Sequence, residues 1–319
     1  MIRKIIFTCF FITALSVTSI TGCTNTRDET AGLTVIDGFL PMVWIPAGTF
    51  IMGSPESEPS RNMNEIQHQV TINAGFYMSV HQVTQKQWKE LMGEDEAWQS
   101  LMNQGMYGKE YGIGDDNPMY YINWYDAIEF CNKLSEIEGL TVAYRLNEET
   151  RAVEIIEGST GYRLPTEAQW EYACRGHYPN KEEETNTMPF GVGDGTKITY
   201  ELANFHTFYP YDISTDFPGQ YKDIEGAGYL GKTSPVGSYA PNNYGLYDMH
   251  GNVWEWCLDW FGAYSGEAPV DPQGPDTGEN RVLRGGCWDN IGAHIRSAYR
   301  GLTDPEFRGD IFGLRPVRR

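Results

Sequence analysis

The chain has 319 residues, with 43 Asp or Glu against 24 Lys or Arg and a formal net charge of -19. That balance argues against nucleic acid or an anionic membrane surface as the main partner. A composition of 40% hydrophobic and 13% aromatic residues excludes a disordered chain, and the length is sufficient to bury a large core.

The first 23 residues predict an export signal. Arg3 and Lys4 provide a positive start, and the apolar segment 5–20 has the length of a signal core but is short for a membrane span. Residues 20–23, Ile-Thr-Gly-Cys, resemble the lipobox of bacterial lipoproteins. We therefore expect lipidation of Cys23 and a chain anchored by lipid at the outer membrane or cell surface, with an ordinary signal peptide as the alternative. Residues 24–35 are polar and indicate a tether.

Short strands come next in the chain. Residues 42–50 alternate between apolar and polar positions and turn at 46–48, Pro-Ala-Gly. The segments 69–72 and 75–80 predict further short strands. Disulfides among Cys131, Cys174, Cys257 and Cys287 are permitted by export, but buried free thiols fit equally well.

Three helices have start and stop signals. One follows Thr84 and ends at Gly93, and a second follows Asn123 and ends before residue 139. The third opens at Thr166 with a capping box and runs to Cys174, ahead of a glycine. The rest of the chain is rich in turns and aromatic residues. The predicted class is therefore α+β, with few helices, short strands and a high coil content.

Four motifs together resemble the formylglycine-generating-enzyme family of the C-type lectin fold. They are 161–173 (GYRLPTEAQWEYA), 243–256 (NYGLYDMHGNVWEW), 281–288 (RVLRGGCW) and 312–317 (FGLRPV), and the opening 44–53 (WIPAGTFIMG) matches as well. The resemblance spans roughly residues 40–319. It implies a single domain over residues 36–319 with little regular secondary structure.

The resemblance also implies where catalysis would occur. Catalytic members bind copper through two Cys after the Gly-Gly pair, because soft thiolates suit Cu(I). Those positions fall on Asn290 and near Ile295 here, and Cys287 stands where the family usually has Ser. We therefore expect no catalytic residues, no catalytic cofactor and no enzyme activity. An oxidase with another metal arrangement and a scaffold lipoprotein of an envelope or secretion assembly are the alternatives.

A structural Ca²⁺ is a further implication of the family. Its site matches four residues whose oxygens suit that ion, namely Asp248, Gly251, Val253 and Glu255. Alternatively, the two acids cap turns or pair with Arg. A second family site begins at Asn204 and Phe205, but Gly228 and Leu230 occupy its other ligand positions. Asp223 or Glu225 would have to substitute there.

Residues 285–315 resemble the variable region of proteins that retroelements diversify, including spirochaetal lipoproteins of this class. Such regions combine constant residues with diversified ones. The residues that resemble the constant ones, called the frame below, are Trp288, Arg296, Ala298, Arg300, Pro305, Arg308, Gly313 and Arg315. The candidate diversified positions are Asp289, Asn290, Ile291, Ala293, His294, Tyr299, Gly301, Leu302, Thr303, Asp304, Glu306, Phe307, Gly309, Asp310 and Ile311. All except Glu306 are types that NNY codons, the products of adenine randomisation in Asn codons, can encode.

The functional expectation is a surface-displayed, non-enzymatic, monomeric binding protein. Trp288, Arg296, Arg300 and Arg315 would hold the face, and the diversified residues would contact an unknown protein or glycan on another cell. The alternative is an ordinary surface loop. We expect Arg163, Arg284 and the three frame arginines named here to pair with acidic residues. Residues 281–319 contain eight Arg, four acids and no Lys, so the binding face lies at the basic end of an acidic chain.

Overall fold

The computed structural model describes residues 25–28, 33–36, 38–103, 111–147, 149–176, 187–215, 220, 222, 228–264 and 268–319. The predicted signal segment with Cys23, and the candidate calcium ligands Asp223 and Glu225, lie outside these residues. Within the described part, no helix is long and apolar enough to cross a membrane.

The helices of the described part begin where side chains cap their first turns. They are α1 (Gln85–Met92), α2 (Glu96–Asn103), α3 (Trp124–Ile137) and α4 (Glu167–Arg175). The predicted caps Thr84, Asn123 and Thr166 each form a capping box, which confirms three predicted helices. Helix α2 was not predicted, although the sequence offers a capping residue in Asp95, which accepts a hydrogen bond from Trp98 N at 2.8 Å.

The strands of the described part are short, as predicted. They are β1 (Asn25–Asp28), β2 (Leu33–Ile36), β3 (Met42–Ile45), β4 (Gly48–Met52), β5 (His68–Ile72), β6 (Phe76–Ser79), β7 (Tyr144–Leu146), β8 (Val153–Ile155), β9 (Lys197–Ile198), β10 (Tyr211–Asp212), β11 (Trp254–Trp260), β12 (Arg281–Arg284), β13 (Gly301–Thr303), β14 (Phe312–Gly313) and β15 (Val317–Arg318). A single 3₁₀ turn spans Gly292–Ile295.

An antiparallel sheet of order β1-β2-β3-β6-β15 contains both ends of the described chain, as its two opposite edge strands. The turn at 46–48 separates β3 from β4, and β4 pairs with β5 in a sheet of its own. The segment 24–35, predicted as a tether, instead contains β1 and most of β2. The backbone N–H and C=O groups of β1 and β2 form hydrogen bonds within the sheet. In a free tether, those groups would bond to solvent.

A second sheet, of order β13-β12-β11-β14, positions the predicted variable region. The chain leaves the sheet at the end of β12, returns as the edge strand β13, and pairs again as β14 in parallel with β11. Both outer strands of this sheet therefore belong to the variable region, whereas its two central strands lie before that region.

The four cysteines of the described part are buried free thiols, which settles the alternatives left open above. Burial raises the pKa of Cys174 and of Cys287 to about 12 in each case, so both are protonated at neutral pH. These thiols pack as small apolar groups in the core.

A buried chain of ion pairs joins α4 to the second sheet. Glu167, Glu171 and Arg175 follow one another at intervals of four residues, so they share one face of α4. Arg284 lies between the two glutamates, at 2.5 Å from Glu171 and 3.4 Å from Glu167. Arg300 completes the chain with two hydrogen bonds to Glu167, at 2.7 and 2.8 Å.

Arg284 also holds the backbone of the variable region. Its guanidinium donates to the carbonyl oxygens of Ser297 at 2.6 Å, Ala298 at 3.2 Å and Tyr299 at 2.9 Å. Burial alone would raise the pKa of Glu171, but the neighbouring Arg175 and Arg284 outweigh burial and lower it. Of the five arginines expected to pair with acids, Arg163 departs, since it donates to an amide and a backbone carbonyl.

We predict that Arg284→Met destabilises the fold by about 3–5 kcal/mol, because it removes one of the two arginine partners of Glu171 and of Glu167 and leaves three buried carbonyl groups without their donor. Urea unfolding measures the loss. The matched control is Arg145→Met, which removes an ion pair whose side chains are 69% and 64% exposed. That change should cost at most about 1 kcal/mol. Equal losses in the two variants would contradict the structural role of Arg284.

Candidate ligand-binding site

Burial separates the frame from the diversified positions. Every frame residue is buried except Arg308, which is partly exposed. All the candidate diversified positions other than Ala293 and Gly309 are partly or fully exposed, with Leu302 at 46% and Phe307 at 55%. The fixed residue types therefore hold the segment from inside, and the variable types face outward.

Ala293 and Gly309 do not belong in the ligand-contacting set. Ala293 is 3% exposed and packs in a small core cluster with Phe190 and Ile295. A side chain at position 309 would approach the Phe312 ring to 2.9 Å. The sequence placed both among the surface positions because residue type alone does not reveal which way a loop residue points.

The frame arginines fix the loop through its backbone. Arg296 is fully buried, bonds the Glu65 carboxylate at 2.8 and 2.9 Å, pairs with Glu58 and donates to its own segment at Ala293 O. Arg300 donates to the carbonyls of residues 64 and 262 as well as to Glu167. These arginine bonds use no diversified side chain, so most of what fixes the loop is independent of those side chains. Two diversified side chains do bond the loop backbone: Asn290 accepts from Cys287 N and Asp304 accepts from Glu306 N.

An open cavity of about 500 Å³ lies at one end of this face. Its floor is Trp288, which stacks on Tyr111 with a centroid distance of 5.1 Å. Tyr229 forms another wall and stacks on His206 at 4.2 Å. The diversified residues that complete the lining are Asp289, Asn290, Asp310 and Ile311.

The cavity is polar and acidic. Tyr229 Oη donates to Asp289 Oδ1 at 2.8 Å, and the described residues of the lining include no Lys or Arg. The Trp288 indole N–H is buried and has no hydrogen-bond partner among the described residues. An unmade bond of this kind costs about 1–3 kcal/mol, so an acceptor that reached it would be favoured.

Tyr111 and Tyr229, which line the cavity, were not predicted from the sequence, since both lie far from the recognised motifs.

Of the two positions that match the family's copper ligands, one lines this cavity and the other lies in the core. Asn290 accepts a hydrogen bond from Cys287 N at 3.0 Å, and Ile295 is fully buried in the core. Neither side chain offers sulfur. The one thiol at the cavity, Cys287, is held protonated by burial, which raises its pKa to about 12.

The four residues of the first expected calcium site converge as the resemblance implies. The carbonyl oxygens of Asp248, Gly251 and Val253 and the carboxylate of Glu255 face one point, which is occupied by the side-chain amide nitrogen of Gln82. The Asp248 carboxylate points elsewhere and accepts from Gly237 N at 2.7 Å. Within the described residues, no group of three or more His, Cys, Asp or Glu could hold a metal ion.

The residues of the second expected calcium site have other partners. Asn204 O accepts from Asn252 N at 2.9 Å, and the Asn204 amide donates to Lys232 O at the same distance. Phe205 is fully buried in the core. Gly228 provides no side-chain oxygen, so the described residues supply no acid for this site.

The sulfatase-modifying factor enzyme 1-like domain model matches residues 39–319. The chain is 32% identical over 258 residues to the chaperone protein LppX of Paenibacillus barcinonensis, covering 76% of this chain and 80% of that protein. It is 27% identical over 291 residues to the formylglycine-generating enzyme of Bos taurus, covering 86% and 73%. Among solved structures, Treponema denticola variable protein 1 superposes with a TM-score of 0.66 at 27% identity, covering 88% of this chain and 95% of that one. These matches confirm the predicted family, fold class and likeness to a treponemal variable protein.

We predict that Leu302→Ser changes the free energy of unfolding by no more than about 0.5 kcal/mol, because the side chain is exposed at a sheet edge. Ala293→Phe is the matched change at a buried diversified position. Overpacking there should cost about 1–3 kcal/mol. Thermal unfolding of both variants is the measurement, and an Ala293→Phe protein as stable as the wild type would return position 293 to the surface set.

Proposed function

Since the chain belongs to the sulfatase-modifying factor enzyme 1-like domain family, we propose that it is a non-enzymatic member that binds a protein ligand. The ligand meets the exposed face of residues 285–315, and a lipid on Cys23 displays the domain at the cell surface. The separation of buried frame residues from exposed diversified residues carries this proposal. The treponemal variable protein supports it as a structural relative.

The arrangement suits binding because the atoms that fix the loop conformation differ from those that would contact a ligand. Arg284 and Arg296 bond backbone carbonyls, which every residue type possesses. Outward side chains such as Leu302 and Phe307 are therefore free to differ between variants at little cost in stability. A catalytic site would need these neighbours fixed.

An oxidase is the other function that the family offers. A two-thiolate copper site requires two cysteines that converge on one ion. Asn290 and Ile295 occupy the matching positions, and burial keeps Cys287 protonated. These residue types favour binding over oxidation.

The cavity indicates which group of the ligand this variant takes. Two carboxylates, Asp289 and Asp310, and three aromatic rings line it, with no basic residue in the part of the lining that the structure describes. Carboxylates and ring faces both attract ammonium and guanidinium groups. A Lys or Arg side chain of the partner protein fits this chemistry.

We propose that retroelement diversification generates the variable face. The genome should then carry, near this gene, a reverse transcriptase gene and a near-copy of the segment 284–315. Mismatches between the two copies should fall at template adenines, because those are the bases that the process randomises. Sequencing the flanking DNA checks this prediction. Absence of both elements would leave a binding scaffold without diversification.

A display library tests the binding function directly. NNY codons replace the exposed diversified positions, and the library is selected on hen lysozyme, a basic protein. Ala293, Gly309 and Gly301 stay unchanged, since a side chain at 301 would approach the Trp254 ring to 2.7 Å. We expect specific binders that remain folded, with acidic residues enriched at 289 and 310. The control library diversifies exposed positions of the β7–β8 hairpin, residues 144–155. Equal recovery from the two libraries would count against a dedicated binding face.

A further inference from the structure

We propose that the side-chain amide of Gln82 replaces the family's structural cation, so that this chain folds independently of Ca²⁺. Gln82 lies between β6 and α1, is 1% exposed, and is more than 160 residues away in sequence from the four oxygens that surround its nitrogen. Those oxygens belong to the residues that the family resemblance assigns to calcium.

The distances are those of an amide and not of a metal. Gln82 Nε2 lies 3.0 Å from Glu255 Oε1 and 3.1 Å from Val253 O, which are ordinary N–H···O lengths. The carbonyl oxygens of Asp248 and Gly251 are farther away, at 3.3 and 3.4 Å. Calcium would require oxygens at about 2.3–2.6 Å and at least six of them.

Neighbouring hydrogen bonds fix the direction of the amide. Asn252 Oδ1 accepts from the backbone N–H of Ser234 at 3.0 Å, so its Nδ2 must face the other way. That Nδ2 donates to Gln82 Oε1 at 3.2 Å. With its oxygen committed to Asn252, Gln82 can only present its nitrogen to the four oxygens.

The charge of the site is already balanced. Arg315 bonds both carboxylate oxygens of Glu255, at 2.8 to 3.1 Å, and the Trp170 indole N–H donates to Oε2 at 2.7 Å. Glu255 is the one carboxylate facing the point, since that of Asp248 bonds Gly237. A divalent cation would leave a buried positive excess, whereas a neutral amide adds no charge.

Terbium, which takes calcium sites, tests the proposal on the full chain. Trp170, which bonds Glu255, lies beside the four oxygens and would sensitise Tb³⁺ bound there. We expect no Ca²⁺-displaceable emission from the wild type and the same melting temperature in Ca²⁺ and in EDTA. Saturable emission that Ca²⁺ displaces, together with a melting temperature that rises with Ca²⁺, would overturn the proposal.

The Gln82→Glu variant should acquire the response to Ca²⁺ and Tb³⁺ that the wild type lacks. Its added carboxylate faces Glu255, so the variant should melt several degrees lower in EDTA, recover in Ca²⁺ and sensitise Tb³⁺. Gln85→Glu is the control, since the buried Gln85 amide also donates to two carbonyls, at 2.9 and 3.1 Å, without a carboxylate partner. The Gln85→Glu variant should lose stability, and Ca²⁺ should not restore it. If Gln82→Glu does not fold, Gln82→Ala takes its place, because it removes the amide from between the four oxygens. A Gln82→Ala protein that gained no response to Ca²⁺ or Tb³⁺ would count against the proposal.

Discussion

The buried pairing of Arg284 with Glu171 is the interaction on which the rest of this structure depends. A segment with few ladder hydrogen bonds must still satisfy its buried carbonyl groups. Arg284 satisfies three in succession, at residues 297–299, while its charge is balanced by acids on α4. The guanidinium can supply both kinds of partner because it has five donors in one plane. The irregular end of the chain is thus fixed to a helix by side chains.

The same arrangement explains how one face can vary without disturbing the fold. The frame residues contact backbone atoms or acids, as Arg296 does with Ala293 O and Glu65. Exposed neighbours such as Leu302 take no part in that network, so the fold places little constraint on their residue type. The proposed binding function rests on this division, and the proposed preference for a cationic group of the partner rests on the acidic, aromatic cavity.

A second buried centre joins distant parts of the chain at Glu255. Gln82 reaches it from the region before α1, Trp170 from α4 and Arg315 from the C-terminal motif. The proposed exchange of a cation for an amide keeps the surrounding carbonyl groups satisfied while removing any need for metal. Such a centre depends on shape and hydrogen-bond direction, whereas a metal centre depends on ligand charge and number.

The sequence by itself determined the family, three capped helices, the short strands and most of the outward-facing positions, because those signals lie within three or four residues of each other or in contiguous motifs. Only the tertiary structure decided which acid each arginine meets, that Ala293 and Gly309 are buried, that Tyr111 and Tyr229 wall the cavity, and that Gln82 fills the point between four oxygens. Each of these outcomes is a contact across many residues of chain, set by packing and by the satisfaction of buried polar groups. No local pattern records such contacts.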